Sequence, residues 1–157
     1  MSYDFNADEI FEMAEQMERN GAVFYRNAAE NVTEEKNKDM LLKLAAMEDD
    51  HEKTFAEMRA ALTDLEKATT VFDPQGDTVL YLKALVDTRV FFKKEIDATS
   101  MKEILKEALL AEKDSIVFYL GMKEMVPESL GKTRLEDIIK EEMGHIRLIS
   151  RELSAVK

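Results

Sequence analysis

The chain has 157 residues and no cysteine, and its 33 acidic residues outnumber its 22 basic residues to give a net charge of −11. The missing cysteines exclude disulfides, thiolate metal sites and cysteine nucleophiles. The negative charge opposes binding to nucleic acid or to an anionic membrane, so we expect neither partner. The first residues carry neither the basic region nor the apolar run of a secretory signal. We therefore expect a cytoplasmic protein.

The composition favours helices. Five glycines and two prolines are too few for a protein with many β-turns, and 45% apolar with 35% charged residues is typical of amphipathic helices. Apolar residues recur at steps of three and four along four long segments. We predict an all-α fold in a single domain that spans residues 1–157.

The first two helices are predicted to form a hairpin. The first helix begins at a capping box, Asn6 to Glu9, and ends near Val32. Thr33 is predicted to cap the second helix.

The second half repeats this arrangement after a long connection. Residues 63–99 lack a long periodic pattern and are predicted to form a crossover with a short helix at 79–86. Ser100 starts another capping box and the third long helix. Pro127 is predicted to end or kink that helix, and the fourth long helix follows it.

Six polar residues interrupt the apolar stripes of the four long helices. Each of the two histidines follows a glutamate by three positions, which places the pair on one helical face. Each pair also has a stripe glutamate 30 positions upstream (48 − 18 and 142 − 112). Residues equidistant from a turn lie level in an antiparallel hairpin, so each set of three should meet about 22 Å from its turn. The six are Glu18, Glu48, His51, Glu112, Glu142 and His145.

The two halves of the chain resemble each other. The segment from Glu18 to Tyr25 aligns with that from Glu112 to Tyr119, at an offset of 94 positions (112 − 18). The two Glu-x-x-His motifs align at the same offset. We interpret this as a duplicated helical hairpin whose copies pack about a pseudo-twofold axis. The six polar residues would then converge in the middle of one bundle.

Four ionised carboxylates in an apolar core cost several kcal/mol each unless their charge is compensated. No lysine or arginine occupies the stripes at their level, whereas two divalent cations would balance four carboxylates. Oxygen-rich ligand sets with one nitrogen per metal favour iron or manganese over structural zinc. We therefore predict a dinuclear metal site. The alternative is a metal-free Glu–His network that fixes the helix register.

Two tyrosines lie on the same stripes, seven positions after the upstream glutamates. Tyr25 follows Glu18, and Tyr119 follows Glu112. Helical side chains lean toward the N-terminus, so each hydroxyl is expected to reach a carboxylate of a facing helix and support the metal site from behind its ligands. The alternative is an ordinary core tyrosine bonded to any neighbour. Glu15, one turn before Glu18, is expected to be solvated and not to bind metal.

One glutamate on each of two helices, with a Glu-x-x-His motif on each of the other two, is the ligand pattern of ferritin-like diiron and dimanganese proteins. The chain resembles that superfamily over nearly its whole length, and most of all its rubrerythrin-type branch. The resemblance implies a ferritin-like four-helix bundle of two hairpins joined by a long crossover. It implies two iron ions as the cofactor, with manganese as an alternative. It also implies that Glu48 and Glu142 bridge the metals and that Glu18 and Glu112 are terminal ligands.

The resemblance also implies a function. Rubrerythrins reduce hydrogen peroxide, and related members oxidise ferrous iron or use O₂. We expect a diiron oxidoreductase that reduces hydrogen peroxide or O₂ with electrons from an external redox protein, and we expect a homodimer. Two features depart from rubrerythrin: its cysteine-ligated rubredoxin domain is missing, and its extra glutamate is replaced by Ser115, matched by Gly21 in the first helix.

Two other functions stay open. A ferroxidase or storage subunit would handle iron as its cargo and would form a large hollow assembly. A metal-free bundle would serve as a helical interaction module. A DNA-protecting relative is disfavoured by the net charge of −11.

Overall fold

The computed structural model describes residues 7–64, 77–88, 100–126 and 128–156. Helices account for nearly all of these residues, and no strand occurs among them. The elements are α1 (Ala7–Asn31), α2 (Glu35–Ala60), α3 (Asp77–Thr88), α4 (Met101–Lys123), a 3₁₀ turn (Glu128–Leu130) and α5 (Lys132–Ala155). The all-α prediction is confirmed. None of the described helices combines the length and apolar character that a membrane span requires.

The four long helices form two hairpins, as the sequence predicts. α1 packs against α2, and α4 packs against α5. Within the predicted crossover, α3 covers the expected short helix and extends beyond both its ends. α3 packs on α4 near Gly121, where a Cβ atom would lie 2.6 Å from the ring of Tyr81. Residues 65–76 and 89–99 of the crossover lie outside the described residues.

The helix starts follow the predicted capping in part. The Ser100 side chain accepts a hydrogen bond from the Glu103 amide at 3.3 Å, as predicted. The prediction for Thr33 is wrong, because Glu34 is the N-cap of α2 and makes no side-chain capping bond. α5 starts after Gly131, whose φ of 100° suits a residue without a side chain. Asn6 and Pro127 lie outside the described residues.

The core consists of two apolar clusters. One contains Phe11, Phe55 and Met122, and the other contains Leu44 and Leu105. Along each long helix, residues of one cluster precede the predicted polar residues and residues of the other follow them. The six polar residues therefore lie between two packed apolar layers, which shield them from water at both ends.

Candidate metal centre

The six sequence-predicted polar residues lie together between the helices. Each is at most 5% exposed. α1 and α4 contribute one glutamate each, while α2 and α5 contribute a glutamate and a histidine each, because the i, i+3 spacing turns both side chains to one face. The six are Glu18, Glu48, His51, Glu112, Glu142 and His145.

The six residues form two overlapping groups of four. In each group one ligand atom from every member lies within 4.8 Å of the others. Glu48 and Glu142 belong to both groups, and each group adds one further glutamate and one histidine. The first group adds Glu18 and His51, and the second adds Glu112 and His145. Two cations placed in these groups would share two carboxylates.

Both imidazoles turn their Nδ1 atoms toward the carboxylates. His51 Nδ1 lies 2.9 Å from Glu142 Oε1 and 3.4 Å from Glu18 Oε2. His145 Nδ1 lies 3.2 Å from Glu142 Oε2 and 3.4 Å from Glu48 Oε1. The two rings stack with their centroids 5.8 Å apart. Each group therefore has one nitrogen donor beside its carboxylates.

The inward-facing polar atoms are poorly satisfied by the protein itself. Buried atoms without a hydrogen-bond partner include Glu18 Oε2, Glu48 Oε1, both oxygens of Glu142 and both Nδ1 atoms. An unpaired buried polar atom costs about 1–3 kcal/mol, and more when it is charged. Oxygen and imidazole atoms that converge without partners fit divalent cations, which would take up their lone pairs and their charge.

The carboxyl groups have perturbed pKa values. Burial and repulsion from Glu18 raise the pKa of Glu48 well above its usual range. Burial and repulsion from Glu112 and Glu48 raise the pKa of Glu142 to about 8. Burial and repulsion from Glu142 also raise the pKa of Glu18. Burial acts to raise the pKa of Glu112, but hydrogen bonds with Glu142 and His145 outweigh burial and lower this pKa.

The pKa values of the two histidines also reflect the negative potential of the buried carboxylates. Burial acts to lower the pKa of both rings, yet their carboxylate contacts outweigh it. Contacts with Glu142 and Glu18 raise the pKa of His51 to about 12. Contacts with Glu112 and Glu142 raise the pKa of His145 to about 12. Without a cation the cluster therefore takes up protons, which a metal must displace.

The two tyrosines link the halves of the molecule. The Tyr25 hydroxyl donates to Glu112 Oε1 at 2.5 Å, and the Tyr119 hydroxyl donates to Glu18 Oε1. Each bond joins α1 to α4, and each tyrosine is at most 1% exposed. Each hydroxyl therefore holds a glutamate that belongs to only one of the two groups. These hydrogen bonds are the carboxylate contacts expected from the sequence.

The comparisons with known proteins agree with this arrangement. The rubrerythrin family model matches residues 9–153, which covers all six site residues and both tyrosines. The chain belongs to the rubrerythrin family. Comparison with curated proteins and with solved structures gave no match. The expected ferritin-like bundle is thus confirmed, and the buried carboxylate–histidine cluster fits a diiron protein of this family.

A small pocket adjoins the cluster in this rubrerythrin-family chain. Gly21, Ser115, Glu48 and Glu112 contribute to its walls, and it offers about 10 Å³ for the centre of a water-sized molecule. A Cβ atom on Gly21 would lie 3.2 Å from Glu48 Oε2. The Ser115 hydroxyl donates to the Ala111 carbonyl at 3.0 Å, so it does not fill the pocket.

Sequence reasoning missed one contact of this rubrerythrin-family site. Glu141 Oε2 lies 2.6 Å from His51 Nε2, across the junction of α2 and α5. The Glu141 side chain is 54% exposed and lies on the polar face of α5, where periodicity gives no reason to choose it. The duplication also points away from it, because the aligned residue is Met47 (141 − 94). The sequence feature that could have pointed to Glu141 is its position directly before Glu142.

The expectation that Glu15 is solvated is wrong. Its relative exposure is 8%, and Arg59 Nη1 of α2 donates to its Oε2 at 3.0 Å. Arg59 also binds Asp8 through its Nε at 2.9 Å. Pairing with an arginine of the next helix, which single-helix periodicity does not show, allows this carboxylate to be buried. Glu15 is not a member of either candidate metal group.

Proposed function

We propose that this rubrerythrin-family protein is a diiron-carboxylate oxidoreductase that reduces hydrogen peroxide, or O₂, with electrons from an external donor. The observation that carries the proposal is the pair of buried four-residue groups that share Glu48 and Glu142. Family membership supports a metal-binding role. The ligand chemistry and the adjoining pocket support the choice of metal and oxidant.

Two iron ions fit the donor set best. Four carboxylates would carry four negative charges, which two divalent cations balance, and two neutral imidazoles complete the set. Hard oxygen donors with one nitrogen per metal suit ferrous iron, with manganese as the nearest alternative. Glu48 and Glu142 would each contact both metals, whereas Glu18 and Glu112 would each hold one.

The protein's own groups would keep this arrangement in place during a redox cycle. The Tyr25 and Tyr119 hydroxyls donate to Glu112 and Glu18, so neither carboxylate can rotate without losing a buried hydrogen bond. The apolar clusters on both sides keep bulk water away from the ligands. Two ferrous ions would supply the two electrons of the reaction H₂O₂ + 2 H⁺ + 2 e⁻ → 2 H₂O, becoming ferric.

The pocket beside Gly21 and Ser115 suits a small oxidant. The pocket is large enough for a molecule about the size of water, and its wall includes Glu48, which both groups share. The sequence contains no cysteine for a rubredoxin-type iron centre. The electrons would therefore come from a separate redox protein.

A second candidate function is ferroxidase activity. Ser115 stands where rubrerythrins carry an additional glutamate, and the Ser115 hydroxyl is occupied by the Ala111 carbonyl. The missing carboxylate departs from the rubrerythrin pattern, and this departure favours oxidation of ferrous iron with O₂ as the alternative reaction. In that case iron is the substrate.

Rapid mixing of the anaerobic diferrous protein with each oxidant tests the proposal. We expect hydrogen peroxide to oxidise two ferrous ions per molecule, and to do so faster than O₂ at equal concentration. Glu48→Ala, which removes a shared ligand, should bind no iron pair and show neither reaction. If O₂ reacts faster and added ferrous iron is then mineralised, ferroxidase activity replaces peroxide reduction.

A further inference from the structure

The two histidines of the metal centre differ at their outer nitrogens. His51 Nε2 lies 2.6 Å from Glu141 Oε2. His145 Nε2 is buried and has no hydrogen-bond partner in the described part of the chain. Both Nδ1 atoms face the carboxylates in the same way, since His51 Nδ1 lies 3.4 Å from Glu18 and His145 Nδ1 lies 3.4 Å from the aligned Glu112. The residues around the candidate metal groups follow the pseudo-twofold axis. The groups that face the outer nitrogens of the two histidines do not.

We propose that Glu141 is a positioning residue that makes the metal position beside His51 the tighter of the two. An imidazole that binds a metal through Nδ1 carries its proton on Nε2. That N–H would donate to Glu141, which fixes the tautomer and the ring orientation and makes Nδ1 a better donor. This inference rests on the proposed metal site, but not on its reaction with an oxidant.

The location of Glu141 suits this role. It lies at a pocket between α2 and α5 that offers about 260 Å³ for the centre of a water-sized molecule. Its side chain is 54% exposed, so its charge stays hydrated while one oxygen contacts a histidine that is only 3% exposed. A carboxylate held at the surface costs little desolvation, and it adds no fifth buried charge to the cluster.

Among the described residues, the first half of the molecule offers no equivalent group to His145. The aligned position is Met47, whose thioether is at best a weak hydrogen-bond acceptor. The His145 ring is therefore oriented by packing and by its Nδ1 contacts. Such outer contacts typically change metal affinity about 10- to 100-fold. The two positions should differ in affinity within that range, although their ligand types are the same.

Cobalt(II) at one equivalent per chain is the probe. Crystals of the wild type should show stronger anomalous scattering beside His51 than beside His145. In Glu141→Ala that preference should disappear, and solution titrations should show one binding step weakened about 10- to 100-fold with the other unchanged. Glu141→Gln keeps an oxygen that accepts from Nε2–H and should restore most of the preference.

Asp137→Ala provides the matched control, because Asp137 lines the same pocket and is exposed. It removes one charge there and should leave the cobalt distribution unchanged. Equal occupancy in the wild type, or equal effects of Asp137→Ala and Glu141→Ala, would overturn the inference. Circular dichroism of the metal-free variants checks the fold. A wild type that binds no cobalt would overturn the proposed metal site and this inference with it.

Discussion

The hairpin of α1 and α2 and the hairpin of α4 and α5 supply the same groups to the centre of the bundle but surround them differently. Each contributes a glutamate, a tyrosine and a Glu-x-x-His motif. Outside that set, Gly21 corresponds to Ser115, and Met47 corresponds to Glu141. The inner groups are constrained because each half completes the other's clusters. The outer positions belong to neither cluster, since Gly21 and Ser115 only line the adjoining pocket and Glu141 contacts one histidine from outside, so they are free to differ.

The largest expected effect comes from removing a carboxylate that both groups share. Glu48→Ala in the first half and Glu142→Ala in the second should each abolish binding of both metals, because no group of four remains complete. Metal content and the melting temperature with and without chelator measure this. The wild type should melt lower after chelation, and neither variant should show that difference.

Glu57→Ala is the control for this pair, since Glu57 is an exposed glutamate of α2 that pairs with Arg134. It should keep two metals and the full chelator effect. Glu18→Ala and Glu112→Ala should each retain one metal, because each residue belongs to one group. A full metal complement in Glu142→Ala alone would show that the halves do not contribute equally.

The next effect concerns pH and the metal-free protein. Glu142 has a folded-state pKa of about 8, against an ordinary 4.5, and the pKa values of both histidines are raised to about 12 from 6.5. A raised folded-state pKa means that stability is present below the unfolded value and is lost as pH rises. Metal-free protein should therefore lose stability from pH 5 to pH 8, the carboxyl group acting first and the histidines above about pH 6.5.

Metal-loaded protein should behave differently, because the cations replace those protons and bind more tightly as pH rises. The gap in melting temperature between the two forms should widen from pH 5 to pH 8. Calorimetry at several pH values, each with and without chelator, measures this gap. A gap that stays constant across this range would contradict the role given to the buried acids.

The smallest effect concerns the two tyrosines. Tyr25→Phe leaves Glu112 Oε1 without its donor, and Tyr119→Phe does the same to Glu18 Oε1. Each should lower the free energy of unfolding by about 1–3 kcal/mol. Denaturant titration measures the loss. Tyr81→Phe is the matched control, because its hydroxyl is exposed and makes a long 3.5 Å bond to the Val117 carbonyl. Unequal losses from the first two variants would mean that the halves hold these glutamates differently.

The convergence of the six polar residues could be predicted because it depends on regular helical geometry. The i, i+3 spacing, the equal distance from each turn and the 94-position offset all follow from a constant rise per residue. The tyrosine contacts were predictable for the same reason, since helical side chains lean in a known direction. Six positions of the apolar stripes are polar, and four of them are carboxylates. Their negative charge restricted the predicted ligands to cations.

The remaining features depend on contacts between helices that one helix's pattern does not contain. Glu141 lies on a polar face, and only the packing of α5 on α2 brings it to His51. Glu15 is buried because Arg59 reaches it from α2. The cap of α2 shifted by one position, from Thr33 to Glu34, which is within the usual uncertainty of helix ends.

The hydrogen bonds from Tyr25 to Glu112 and from Tyr119 to Glu18 bear on the ancestry of the chain. Every such bond, and every shared carboxylate, joins one repeat to the other, so neither repeat holds a complete cluster alone. A single repeat associated with an identical copy of itself would nevertheless contain all of these groups in the same relation. The bundle therefore has the internal symmetry of a pair of identical hairpins, which agrees with the duplication inferred from the sequence.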